Sequence, residues 1–208
     1  MKHTGGRILS LLLFFGLPAA VLFADSLSRD LFDKGRYQEA VDTALSRIRV
    51  QGDDIDEYVV LCWSLLALGR YDSAASYAAR GRLASRYDPR IVEAYAEALY
   101  HLGRNLESLR LFEEYIQLAP EGSRVDQAYY LMGELYLRLG RFRHADISLS
   151  MAVRYQPANS LWWTRLGYAR EEAREREYAI RAYSRVLELV PQSLDATLGL
   201  ERLSGSIR

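Results

Sequence analysis

The sequence is poor in the residues from which reactive sites are usually built. Its single cysteine, Cys62, permits no intrachain disulfide. Its three histidines, His3, His101 and His144, stand too far apart for any two to share a helix face at the i, i+3 or i, i+4 spacing of a helical metal pair. No glycine-rich phosphate loop and no strained serine elbow occurs. The adjacent acids Glu113–Glu114 and Glu171–Glu172 would point apart on a helix rather than converge. An excess of one charge is missing too. The chain carries 27 Lys and Arg against 27 Asp and Glu, so it lacks the basic field that nucleic acid requires. Lysine occurs only at Lys2 and Lys34, a bias we read as genomic composition. These absences leave no catalytic, metal-binding or cofactor-binding residues to assign, and nucleic acid is excluded as a partner. Function has to be sought in a surface.

What the sequence does have is a period. Glycines at Gly35, Gly69, Gly103 and Gly140 are followed by Arg174 in the same slot, with separations of 34, 34, 37 and 34 residues. Regular spacing of this length marks stacked helical units. Seven residues before each hinge stand Ser28, Cys62, Ala96, Gly133 and Gly167, and five residues after it stand Ala40, Ala74, Ser108, Ala145 and Ala179. All ten are small, as two helices need if they are to approach within about 8–10 Å in an antiparallel hairpin. Cys62 therefore reads as a packing thiol. Large apolar residues such as Leu61, Leu65, Leu99, Met132, Tyr136 and Leu166 flank these notches, and Tyr37, Tyr71 and Phe142 would close the hairpin ends. The hinge glycine suits a left-handed residue ending the first helix, and Pro120, Pro157 and Pro191 stop the second.

Residues 126–159 show the unit most fully, through Tyr129, Met132-Gly133, Tyr136, Gly140-x-Phe142, Ala145, Ala152 and Pro157. This pattern resembles the tetratricopeptide repeat, over about Asp25 to Pro191. The resemblance implies an all-α, right-handed solenoid of about five helix-turn-helix copies, near 25–54, 55–88, 89–125, 126–159 and 160–192. A capping helix is expected at 193–203, with Leu194, Leu198 and Leu203 turned inward. The three extra residues of the long interval fall in Glu121–Arg124, an inter-repeat loop that tolerates insertion. The charge-dense run Glu171–Glu177 is expected to be a solvated face with i, i+4 pairs.

In such a solenoid the first helices line the concave wall, the surface these folds use for binding. The positions left over once the core is assigned are Val59, Trp63 and Leu66 in the second copy and Glu93, Glu97, Tyr100 and His101 in the third. The fourth copy offers Tyr130, Glu134, Leu137 and Arg138, and the fifth Thr164, Tyr168 and Glu171. They form an aromatic strip flanked mostly by acids, which suggests a groove for a protein segment with apolar anchors and a few basic residues. Family members that grip a C-terminal carboxylate do so with Lys and Asn, whereas Val59, Glu93, Tyr130 and Thr164 fill those slots here.

Residues 1–24 read separately. A positive start at Lys2, His3 and Arg7 precedes an apolar run from Ile8 to Phe15, a Gly16–Pro18 break and small residues at Ala19, Ala20 and Ala24. That is the layout of a signal peptide, or of an N-terminal anchor if uncleaved. The expectation is a non-catalytic adaptor in the bacterial envelope, periplasmic or anchored to the inner membrane, with an envelope protein as partner. Membrane contact would come only through this segment. The alternatives are a binding protein for a small apolar ligand and a self-associating anchored subunit.

Overall fold

The computed structural model describes residues 27–52 and 54–205, so the leader expected in residues 1–24 lies outside it. Among the described residues there are eleven α-helices and no strand. They are α1 (Leu27–Asp33), α2 (Tyr37–Gln51), α3 (Ile55–Ala67), α4 (Tyr71–Ala84), α5 (Pro89–His101), α6 (Asn105–Leu118), α7 (Val125–Arg138), α8 (Phe142–Tyr155), α9 (Ser160–Glu172), α10 (Arg176–Leu189) and α11 (Leu194–Gly205). No helix among the described residues is long and apolar enough to cross a membrane.

Short polar residues start several first helices. Asp54 accepts from the Asp56 backbone N–H, Asp88 from that of Arg90 with Pro89 opening α5, and Asn159 from that of Trp162. The first helices end in one recurrent motif. The hinge residue donates three residues back and its successor five residues back, as in Gly69 N–H to the Leu66 carbonyl (2.9 Å) and Arg70 N–H to that of Leu65 (2.8 Å). This Schellman pairing needs a left-handed residue. The four glycine hinges have φ between 67° and 72°, and Arg174 adopts 63° in the same slot. Four copies therefore turn without strain, while the fifth forces a side-chain-bearing residue into a region that favours glycine.

Within each hairpin the small residues do what their spacing predicts. Ala40, Ala74, Ser108, Ala145 and Ala179 are fully buried, as are Ser28, Cys62 and Ala96 opposite them. A methyl placed on Gly133 would fall 2.5 Å from Leu149 Cγ, and one on Gly167 2.6 Å from the Tyr183 ring. The Cys62 thiol points at the Ala74 carbonyl (3.7 Å), and burial pushes its pKa up, so it is a packing group. Successive first helices pack on each other, α1 on α3, α3 on α5, α5 on α7, α7 on α9 and α9 on α11, whereas no second helix packs directly on another. The stack therefore fans open on the side of the second helices and curves toward the first. The first helices form the concave wall.

The last helix departs from expectation. Leu203 is buried, but Leu194 and Leu198 are 68% and 42% exposed. The inward face is instead Ala196, Gly199 and Leu203, because Gly199 admits the Tyr183 ring where a methyl would sit 2.5 Å from it. A close approach at the glycine outweighs the burial of two leucines by rotating the helix. The run Glu171–Glu177 also differs, since Glu171 does not pair within its own helix. It is bonded by Arg202 of α11 (2.7 Å) and by the Tyr183 hydroxyl (2.7 Å).

Candidate binding groove

The first helices carry their inward residues at repeated positions, so each expected site residue can be located on the concave wall. Val59 and Glu93 are corrected. They are 1% and 2% exposed and sealed within the wall, because neighbouring first helices close over that position. Leu137 is buried as well. Thr164 turns its hydroxyl onto the Ser160 carbonyl of its own helix (2.9 Å). The remaining positions form two groups.

The first group is an apolar cleft of about 320 Å³ between α1, α3 and α5, lined by Phe32, Trp63, Leu66 and Ala67 and rimmed by Glu97, Ser123 and Arg124. Phe32 and Trp63 meet ring to ring at 5.8 Å, and the Arg29 guanidinium lies 5.1 Å from the Trp63 ring. The Trp63 Nε1–H has no hydrogen-bond partner among the described residues. The second group is polar and aromatic, drawn from α5, α7 and α9. Arg138 lies 4.0 Å over the Tyr100 ring and donates to the Tyr100 carbonyl (3.2 Å). His101 stacks on Tyr71 at 4.1 Å, and burial lowers its pKa. Tyr130 stacks on Trp162 at 5.1 Å. Tyr168 stands at the far end with Arg165 5.5 Å from its ring. Burial pushes the Tyr130 phenol up to about 12, so its hydroxyl stays a donor at neutral pH.

The acids expected to give the groove its character are already occupied. Arg124, in the lengthened loop, donates to Glu93 (2.7 Å) and Glu97 (2.5 Å), while its backbone N–H donates to the Tyr115 hydroxyl (3.3 Å). The loop is thus docked on the wall, with Gly122 lying against Tyr115 where no side chain would fit. Burial is the largest influence on Glu93. It holds the carboxyl up at about 7 with Glu97 adding to the rise, although Arg124 opposes both. Arg165 grips Glu134 with two bonds (2.5 and 2.9 Å), and Arg202 grips Glu171 likewise (2.7 and 2.8 Å). Sequence reasoning missed these arginines together with Phe32 and Arg29. A signal was present, because Glu93–Arg124, Glu134–Arg165 and Glu171–Arg202 are each 31 residues apart. For Glu134–Arg165 that is the 34-residue period less about a helical turn, the offset at which parallel neighbouring helices bring side chains together, whereas Arg124 reaches Glu93 from the loop before α7.

No group of histidine, cysteine and carboxylate side chains among the described residues is placed to hold a metal ion. The wall offers aromatic faces, an apolar cleft and arginines. Such an arrangement can hold a chain segment.

Comparison with known proteins bears on this. The sequence profile of the tetratricopeptide repeat matches residues 61–123 and 130–194, together more than half of the chain. The chain belongs to the tetratricopeptide repeat family. No curated protein matches its sequence. Among solved structures it is similar to MamA, with a TM-score of 0.70 and 15% identity over 79% of this chain and 94% of that one. It is also similar to YrrB, described as a tetratricopeptide repeat protein with an unusual peptide-binding site (TM-score 0.71, 12% identity, 84% and 88% covered). The first repeat domain of Spaghetti, solved with an HSP90 peptide, aligns at a TM-score of 0.51 and 23% identity over 57% of this chain and 92% of that one. These likenesses establish the solenoid fold. Tetratricopeptide repeat proteins are interaction scaffolds, generally without catalysis.

Proposed function

We propose that this tetratricopeptide repeat chain is a non-catalytic adaptor that holds a segment of another protein along its concave wall. The observation that carries the reading is the continuous inner strip from Phe32 and Trp63 through Tyr100 and Tyr130 to Tyr168. Its rings rest on the core with part of their surface open, and beside them lies an unfilled apolar cleft. The bound peptide of Spaghetti and the peptide site of YrrB support the mode without naming the ligand. The basic and apolar leader in residues 1–24 supports an exported, envelope-resident adaptor whose partner is another envelope protein.

The test pairs two measurements. Partners captured from envelope extracts by photo-cross-linkers at Leu66 or Tyr168 should be lost in the Trp63→Ala/Tyr130→Ala double variant. Unchanged capture would remove the groove from the account. Intact mass and fractionation of the native protein report the location. A mature chain in the periplasm, or a full-length one in the membrane fraction, fits an envelope adaptor, and a full-length soluble cytoplasmic chain does not.

A further inference from the structure

The inner wall holds an uneven charge account that bears on which segment fits it. Arg29 pairs with Asp33 (3.1 Å) and Arg90 with Asp56 (2.7 Å), while Arg124, Arg165 and Arg202 bind Glu93 with Glu97, Glu134 and Glu171. Arg138 differs. It is exposed, and no carboxylate among the described residues pairs with it. Its contacts are the Tyr100 ring and carbonyl and, at 3.5 Å, Asn105 Oδ1. The same side chain faces the Tyr100 and Tyr130 phenols, which remain protonated at neutral pH. A guanidinium pre-oriented on an aromatic face, beside two hydroxyl donors and with every nearby acid engaged elsewhere, is a receptor for an anion. The wall's acids are engaged by other arginines, two of them sharing Arg124, so Arg138 is the wall arginine left to meet an incoming anion.

We propose that the groove takes an extended segment carrying an apolar side chain and, some three residues along, a carboxylate. The apolar group would occupy the Phe32/Trp63/Leu66 cleft, and the carboxylate would bind Arg138 with the Tyr100 and Tyr130 hydroxyls nearby. This rests on the groove reading above and specifies its ligand. The spacing follows from where the guanidinium lies. Although Arg138 belongs to α7, its guanidinium sits over Tyr100 of α5, one helix along from the α3 residues Trp63, Leu66 and Ala67 of the cleft. Packed neighbouring helices lie about 8–10 Å apart, so the two subsites are separated by roughly that distance. An extended chain advances about 3.3 Å per residue, which spans it in about three residues.

The probe is a phage-displayed library of random dodecapeptides selected on the full chain. The enriched peptides, labelled with fluorescein, would be titrated by anisotropy together with versions in which the acid is changed to Asn or Lys. The expected peptides carry one large apolar residue and an acid at the stated spacing. The Asn version should bind the wild-type chain about tenfold more weakly, and the Lys version more weakly still. Against Arg138→Gln the Asp and Asn versions should bind alike, while Trp63→Ala should weaken both equally. The Asp preference should also shrink with added salt. Enriched peptides that lack acids or favour Lys overturn the proposal, as does an Asp preference that survives in Arg138→Gln. Loss of binding in Trp63→Ala with indifference to Arg138→Gln removes the charge assignment and leaves the groove reading standing. Binding indifferent to both Trp63→Ala and Tyr130→Ala, or no enrichment over an unrelated control, overturns both.

Discussion

The contact between the two helices of a hairpin and the wall that faces the groove are built on different rules. In the hairpins, one rule recurs five times. Small residues meet at the crossing and a left-handed residue turns the chain, and where the small residue is glycine, at Gly133 and Gly167, a large side chain of the partner helix (Leu149, Tyr183) fills the notch. On the wall the chemistry changes along the copies. The slot six residues before the hinge holds Arg29, Trp63, Glu97, Glu134 and Tyr168 in successive copies. Packing tolerates only a few side-chain volumes, so it enforces uniformity, while a surface open to a partner is free to differ from copy to copy.

The sharpest break in the hairpin rule should come from adding atoms at a crossing. In Gly167→Val the new Cβ would enter the Tyr183 ring, which is 1% exposed and wedged between Gly167 and Gly199. The ring cannot yield to either side. We expect a loss of about 3 kcal/mol or more, read as a lower urea midpoint, with the damage concentrated in α9 to α11 by hydrogen exchange. A loss under about 1 kcal/mol would mean the copies slide to accommodate volume, against the rule of close approach. On the wall, Tyr168→Val should cost less than about 1 kcal/mol, because that ring is 37% exposed.

The wall's buried ion cluster should show itself through pH. The Glu93 carboxyl is held up at about 7 in the fold, chiefly by burial, and titrates in the ordinary carboxylate range when unfolded. Between those two values the folded chain binds more protons than the unfolded one, so this group's contribution to stability falls as pH rises toward 7 and is level above it. Glu93→Gln should flatten that slope. Arg124→Ala should steepen it and extend it to higher pH, costing about 1–2 kcal/mol at pH 8 and less at pH 5. Urea midpoints across pH 5–8 measure both. A wild-type stability that rises through this window by way of Glu93 would show that Arg124 dominates over burial.

Legibility follows the same division. The hinge period, the ten small residues and the closing prolines are local constraints repeated in phase, so the sequence exposes them and the fold matches. Trp63, Tyr100, Tyr130 and Tyr168 are what remains after the repeat pattern is subtracted, and all four lie on first helices. The partners of the acids share a 31-residue offset that a search within single helices passes over. Arg124 enters the wall only because the loop before α7 folds under Tyr115, and nothing in an i, i+4 search connects Glu93 to a residue 31 positions away. Val59 and Glu93 are buried for a related reason. Whether a position six or ten residues before the hinge faces water depends on how closely the adjacent first helices approach, and that is a property of the stack.

A smaller effect tests the hinge. Arg174 holds φ at 63° without glycine's freedom, a conformation costing a side-chain-bearing residue of order 1 kcal/mol. Arg174→Gly should therefore raise stability by up to about 1 kcal/mol, with the larger backbone entropy of glycine in the unfolded chain offsetting part of the gain. The matching change in a copy that already has its glycine, Gly103→Arg, should lower stability by a similar amount. Its φ is 72° and no atom lies within 4 Å of the missing Cβ, so strain alone would be felt. If Arg174→Gly destabilises instead, the guanidinium has a role that outweighs the strain.

The smallest effect separates two leucines of the last helix, five residues apart, that were expected to share its inward face yet are opposite in fate. Leu203 is 8% exposed on the Gly199 face of α11, and Leu198 is 42% exposed beside Thr164 and Tyr168. A helix turned as its apolar stripe suggests would lose about 2 kcal/mol or more from truncating either residue. The observed orientation gives Leu203→Ala that loss and makes Leu198→Lys nearly neutral, within about 0.5 kcal/mol. Equal losses at the two positions would place Leu198 in a buried contact and undo the rotation assigned to Gly199. Neutrality at Leu198 with a loss at Leu203 would show that one glycine, by admitting the Tyr183 ring, decides which face of the final helix the solenoid accepts.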